Sequence, residues 1–171
     1  MNKTVEFKRA IMKFKLYLDT SILSAYFDYG KPIRQLITQK WFENEAQYYE
    51  LYISVITIEE VERVQNISKK DNIKKLIVDY DMKILELSEE AKNLANEYIK
   101  EVAIPRSEPE DAYHIAIAVV NKTEGLASWN FKHIVSLNSI SKIHKINKLL
   151  NYLIIEIGSL EIFGGAKYGN L

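Results

Sequence analysis

The chain has no cysteine, which excludes disulfides, thiolate zinc sites and cysteine nucleophiles together. Histidine is scarce as well. His114, His133 and His144 are the whole supply, too few for a histidine-rich metal cage. Neither sign of charge predominates, since Lys+Arg and Asp+Glu both number 23. Nucleic acid therefore cannot be held by bulk positive charge, only by charges segregated on the surface. Long apolar runs are missing too: charges interrupt every candidate well short of the ~18 residues that span a bilayer. The opening MNKTVEFKRAIMK lacks the apolar segment of a secretory signal. These absences lead to the expectation of a soluble, cytoplasmic protein with no membrane contact.

What is present suits one globular domain. At 171 residues the chain is long enough for one good core and short for two. No repeat, low-complexity segment or linker interrupts it. Residues 14–160 are expected to form the domain, with 1–13 as an N-terminal extension and 161–171 as a loosely docked tail containing FGGAKYGNL.

FKLYLD (14–19) reads as a buried strand, short, apolar and followed by turn-competent residues. A helix from Ser21 and a longer one from near Pro32 to Glu50 follow, Pro32 suiting a first turn. LYISVIT (51–57) is continuous and β-branched, a second buried strand, and Thr57 opens a helix through TIEEVERVQNI. A polar helix over 69–80 leads to a third strand, MKILELS. Ser88 then caps SEEAKNLANEYI, whose first turn is acidic. DAYHIAIAVVNKT is apolar almost all round and reads as a buried helix. GLASWN is a fourth strand, 139–150 a last helix and LIIEIGS an edge strand. Strands alternating with helices, and apolar on both faces, predict an α/β protein: a mostly parallel sheet of four to five strands covered on two sides, three layers α/β/α.

In such sheets ligands bind at the carboxyl ends of the strands. Asp19 ends the first strand, Asn130 follows the fourth, Glu60 lies one turn into the helix after the second, and Asp111 begins the buried helix. All four can reach one edge. Two unit charges about 4 Å apart repel by roughly 4 kcal/mol at an effective dielectric near 20, so clustered carboxylates need a proton or a cation between them. Mg²⁺ prefers a few carboxylates with water and phosphate oxygens.

Each residue also has a plainer role open to it. Asp19 is a favoured helix cap. Glu60 stands three residues after Thr57, at capping-box spacing, and Glu59 rivals it for any functional role. Glu110 is assigned to capping after Ser107. For Asp111 a first-turn carboxylate gains only about 0.3–1 kcal/mol from the helix dipole, a weak reason for an acid in an apolar helix. His114 is read as a packed, hydrogen-bonded core residue and Trp129 as a packing aromatic. Arg106, Lys132 and the stripe Lys142, Lys145 and Lys148 are candidate phosphate contacts, although the stripe is read first as a solvated face.

LYLDTSILSAYF, SVITIEEVERV, EDAYHIAIA and LASWNFKHI, in this order, resemble the successive signatures of the PIN domain family, including VapC-type toxins, over about residues 14–160. The resemblance implies a metal-dependent endoribonuclease of the α/β/α kind. Asp19, Glu60 and Asp111 match the family's metal-binding acids, with Mg²⁺ or Mn²⁺ as the ion. Thr20 or Ser21 then orients the Asp19 carboxylate or caps the helix. The fourth catalytic position, often aspartate, reads Asn130, which lowers the negative charge available to a second metal. Ser128 is positioned to help hold the phosphate. The implied partners are RNA, a cognate antitoxin and a second copy in a homodimer. A haloacid-dehalogenase phosphatase also starts from a strand-end aspartate, but it needs a carboxylate two residues on, where Ser21 stands. The alternative of another class is a non-catalytic RNA-binding or scaffold module on the same fold.

Overall fold

A computed structural model describes residues 12–164. Residues 1–11 of the expected extension and 165–171 of the expected tail lie outside the described residues. The elements are β1 (Phe14–Leu18), α1 (Thr20–Tyr26), α2 (Pro32–Asn44), β2 (Tyr49–Ser54), α3 (Val55–Glu62), α4 (Ile67–Asp79), β3 (Lys83–Leu85), α5 (Glu89–Lys100), α6 (Pro109–Val120), β4 (Gly125–Ala127), α7 (Leu137–Leu149) and β5 (Glu156–Gly158). The five strands form one all-parallel sheet in the order β3-β2-β1-β4-β5. Parallel, doubly covered strands account for the continuous apolar runs.

β1 shows how the layers arise. Successive side chains point to opposite faces, so Leu16 and Leu18 enter one core while Tyr17 enters the other. The first core gathers α1, α2 and α4 with Trp41, Phe42 and Phe163; the second gathers α5, α6 and α7. α6 is buried through Ala112 and every residue from His114 to Val119, as its apolar composition requires.

Several boundaries differ from the sequence reading, each for a local reason. α2 stops at Asn44, and a 3-10 turn at Ala46–Tyr48 releases the chain into β2 at Tyr49. β2 ends at Ser54, which caps α3, with Thr57 at the third helical position accepting from the Ser54 N–H at 3.4 Å. TIEEVERVQNI is not one helix: α3 closes at Glu62, and Asn66 starts α4 by accepting from the Lys69 N–H. The strand expected over MKILELS pairs only at Lys83–Leu85.

Phe163, which lies in the expected loose tail, is fully buried. Its carbonyl accepts from Trp41 Nε1 at 2.8 Å and from the Tyr49 hydroxyl at 2.5 Å. Gly125 makes room for it. A Cβ there would stand 2.7 Å from the Phe163 ring.

This topology fixes the functional edge. From β1 the chain crosses to β2 and β3 on one side, then returns to place β4 and β5 on the other. The order reverses between β1 and β4, and the crevice beyond the carboxyl ends of two such strands is where α/β sheets bind ligands. Register pairs Leu18 with Ala127, so Asp19 and Ser128 are the next residues out.

Candidate functional site

Asp19 leaves β1 with its N–H donating to the Ala127 carbonyl at 3.1 Å. Its side chain is 4% exposed. Oδ1 accepts from the Ser21 N–H at 2.8 Å and from the Ser21 hydroxyl, while Oδ2 accepts from the Ser128 hydroxyl at 2.6 Å. Asp19 thus caps α1, but the cap does not exhaust its role. Burial pushes its carboxyl above the usual range, Glu60's charge adds to this, and His114, Ser128 and Ser21 oppose it.

Glu60 projects inward from α3, and its recorded bonds fall on Oε2: the Thr20 hydroxyl donates to it and His114 Nε2 lies 3.0 Å away. Because α3 starts at Val55, Thr57 and Glu60 do not form the capping box their spacing suggested. Glu59 faces solvent and meets Arg63 at 3.9 Å. Burial raises the Glu60 carboxyl, but the hydrogen bond and charge of His114, with Thr20 and Arg63, outweigh it and hold the group below its usual range.

Asp111 is the third residue of α6. Its Oδ2 accepts from Asn130 Nδ2 at 3.0 Å and lies 3.0 Å from His133 Nδ1. Burial raises its carboxyl, His133 opposes the rise, and the charge of Asp19 adds to it. The capping assigned to Glu110 is not what the structure shows. α6 begins at Pro109 with Glu108 before it, and Glu110 reaches Arg63 at 3.5 Å.

Behind the carboxylates lies a buried relay. Tyr17 donates to Ser54 Oγ at 2.7 Å, and His114 Nδ1 stands 2.7 Å from the same phenolic oxygen. Burial lowers the His114 pKa, but Glu60, Asp19 and Asp111 overcome that and leave it raised. His114 is the buried, hydrogen-bonded residue expected, and its partner is a site carboxylate. Tyr17→Phe deletes the shared hydroxyl and leaves two buried polar groups short of a partner, at a cost of about 1–3 kcal/mol. A urea melt of the metal-free protein measures this, and an unchanged midpoint would show that the relay contributes nothing.

The structure therefore brings Asp19, Glu60, Asp111 and Asn130 to one sheet edge, coupled through charge and hydrogen bonds. It does not put the three acids in mutual contact. Among the described residues, the group of three or more His, Asp or Glu whose ligand atoms lie within 4.8 Å of one another is Glu108, Asp111 and His133. Glu108 and His133 were missed. The signal for His133 was its place three residues after Asn130, whose Oδ1 accepts the His133 N–H at 3.0 Å. Ser128 is fully buried beneath Asp19. Its hydroxyl also accepts from the Asn130 N–H at 2.9 Å, so it ties Asp19 to Asn130. Arg106 and Lys132 are exposed. In the lysine stripe, Lys142 donates to the Val102 carbonyl at 3.0 Å, while Lys145 and Lys148 face solvent.

The donor set suits a hard divalent cation. Asp19 is a buried carboxylate kept from ionising easily by desolvation, and two more acids stand within electrostatic reach. Carboxylate oxygen is the ligand such ions select. No described helix is long and apolar enough to cross a membrane.

Comparison with known proteins bears on the family and the fold. The model of the PIN domain matches residues 16–128. VapBC2 from Rickettsia felis, solved bound to a DNA fragment from its promoter, superposes with a TM-score of 0.52 at 12% identity, covering 84% of this chain and 97% of that one. VapC20 from Mycobacterium tuberculosis, a sarcin-ricin loop cleaving toxin, gives 0.53 at 12% identity, covering 69% and 92%. At that identity the likeness is one of fold. No curated protein matches the sequence.

Proposed function

The chain belongs to the PIN domain family, and from that membership and the acidic sheet edge we propose that it is a metal-dependent endoribonuclease hydrolysing RNA phosphodiester bonds, a VapC-like toxin. The observation that carries the reading is the buried Asp19 carboxylate at the switch point between β1 and β4, with Glu60 and Asp111 within reach of its charge.

Asp19, Glu60 and Asp111 are the residues that hold Mg²⁺ or Mn²⁺. The chemistry such an ion supplies is acidification of a water and neutralisation of charge growing on the phosphate. The chain's own contribution is placement. Ser21 and Ser128 fix both oxygens of Asp19, Thr20 and His114 fix Glu60, and Asn130 fixes Asp111. Asn130 acts in catalysis through that amide, at the position where a fourth acid would otherwise stand. Arg106 and Lys132, both exposed, are the local cations that hold RNA in a protein of zero formal charge. A toxin of this kind is held by a cognate antitoxin and pairs as a homodimer.

Adding Mn²⁺ or Mg²⁺ to the metal-free protein is expected to raise its melting temperature. At a hundred times the dissociation constant the gain is about 2.7 kcal/mol, roughly 5–11 °C for a chain of this size, and chelator should reverse it. The same samples incubated with a fluorescent RNA panel test turnover. Cleavage that stops on chelation supports the nuclease. The Asn130 amide on Asp111, in place of another acid, favours a second reading as a non-cleaving RNA-binding module. RNA retention with no chelator-sensitive cleavage over the whole panel would select it.

A further inference from the structure

We propose that Glu108, Asp111 and His133 form a nitrogen-bearing metal subsite that makes this protein prefer transition-metal ions to Mg²⁺. The inference rests on reading this edge as a metal site and adds which donors it uses and which ions it selects.

Glu108 stands at the N-cap of α6, Asp111 sits in its first turn, and His133 comes from the segment after β4, so two separate stretches of chain deliver three ligand atoms within 4.8 Å of one another. His133 Nδ1 and Asp111 Oδ2 are 3.0 Å apart. Two ligands about 2.1 Å from a common ion and at right angles to each other are themselves about 3.0 Å apart. The observed contact therefore already has the spacing of a coordinated pair. All three residues are partly exposed, open to an entering ion and near enough to the surface for RNA phosphate to follow.

Asn130 supports this arrangement from one side. It donates its amide to the Asp111 side chain at Oδ2, while its carbonyl oxygen accepts from the backbone N–H of His133. Outer-shell bonds of this kind hold ligand orientation and commonly account for tenfold or more in affinity. Asn130 is thereby a positioning residue: it donates to the Asp111 ligand and fixes the backbone that carries His133. An aspartate there would place another negative charge against Asp111.

Selectivity follows from donor chemistry. Mg²⁺ favours an all-oxygen octahedron and keeps its waters, whereas imidazole nitrogen suits Mn²⁺ weakly and Co²⁺, Ni²⁺ and Zn²⁺ strongly. With two carboxylates and one imidazole the subsite favours the latter ions, and Asp111 belongs both to it and to the Asp19–Glu60 side.

The test uses full-length protein, stripped of metal, with Mn²⁺, Co²⁺ and Mg²⁺ themselves as probes. Calorimetry should show Co²⁺ binding at least roughly tenfold tighter than Mg²⁺, and pulsed EPR of bound Mn²⁺ should show coupling to a histidine nitrogen. His133→Phe should remove that coupling and bring Co²⁺ and Mg²⁺ to within a few-fold of each other. His133→Asp should restore binding without nitrogen and with Mg²⁺ favoured, and it guards against a folding defect in the first variant. Glu108→Gln should weaken binding of all three ions. Nitrogen coupling that survives in His133→Phe would overturn the subsite. So would Mn²⁺ binding with no nitrogen coupling that is lost in Asp19→Asn, but that outcome would leave the nuclease reading standing. No binding of any ion would end both.

Discussion

Asp19→Asn is expected to cut RNA cleavage by at least about a hundredfold, roughly 2.7 kcal/mol of barrier, while the metal-free protein melts no earlier than the parent. The two halves have one cause. Asp19 is buried, and its pKa is raised chiefly by desolvation. A carboxyl raised in the folded state favours folding below its unfolded pKa, and that contribution is lost as pH climbs through the folded pKa. Above the unfolded pKa the raised value is therefore a cost to folding, one that the proposed cation would offset.

Asparagine keeps the volume and the α1 cap, since Asn and Asp are comparable N-caps. Its amide can donate to the Ser128 hydroxyl that now donates to Asp19. Cleavage assays with excess Mn²⁺, run beside thermal melts of chelated protein, separate the effects. Full activity in the variant would remove Asp19 from the metal site. A melting temperature well below the parent's would show instead that the carboxylate is structural.

Phe163→Ala is expected to destabilise the protein by about 3–5 kcal/mol, the range for emptying a buried aromatic position. That is a large part of the roughly 5–15 kcal/mol that holds a typical domain together. Phe163 is fully buried against Phe14, with ring centroids 6.2 Å apart, and closes over Gly125. The truncation opens a void between the 3-10 turn Leu160–Phe163 and the sheet. Its backbone carbonyl still accepts from Trp41 and Tyr49, so the loss is one of packing. Phe131→Ala supplies the contrast, because Phe131 is 49% exposed and surface changes stay within about 0.5 kcal/mol. Urea midpoints for the pair decide the matter. Equal midpoints would mean that the last turn adds nothing to the core.

Phe163 also shows where the sequence stops being legible. FGGAKYGNL looks like a tail because its glycines and polar residues carry no periodic pattern. What docks Phe163 is a space lined by Phe14, Trp41, Tyr49 and Gly125, all far from it in the chain, and no local pattern records a distant space. The helix starts misread at Thr57 and Ser107 fail for a related reason. Ser54 and Thr57 are equally good caps by type, and Ser107 competes with the segment around Pro109. The length of β2 and the path into α6 made the choice.

The acids divide the same way. Asp19 at a strand end and Asp111 in an apolar helix were visible because each breaks an apolar run. Glu108 and His133 stand in polar surroundings, where charge is ordinary, and only the return of β4 beside β1 brings His133 to Asp111.

By itself the sequence determined the alternation of strands and helices, the doubly apolar strands that require a covered parallel sheet, and the acids that interrupt them. These are properties of neighbours within a few residues, set by side-chain periodicity and backbone preference. The tertiary structure alone decided that Glu60 faces inward where Glu59 faces water, that Asn130 joins Asp111 to His133, and that Phe163 seals the core. Those outcomes depend on distances between residues far apart in the chain, and such distances exist only after the sheet order has been chosen.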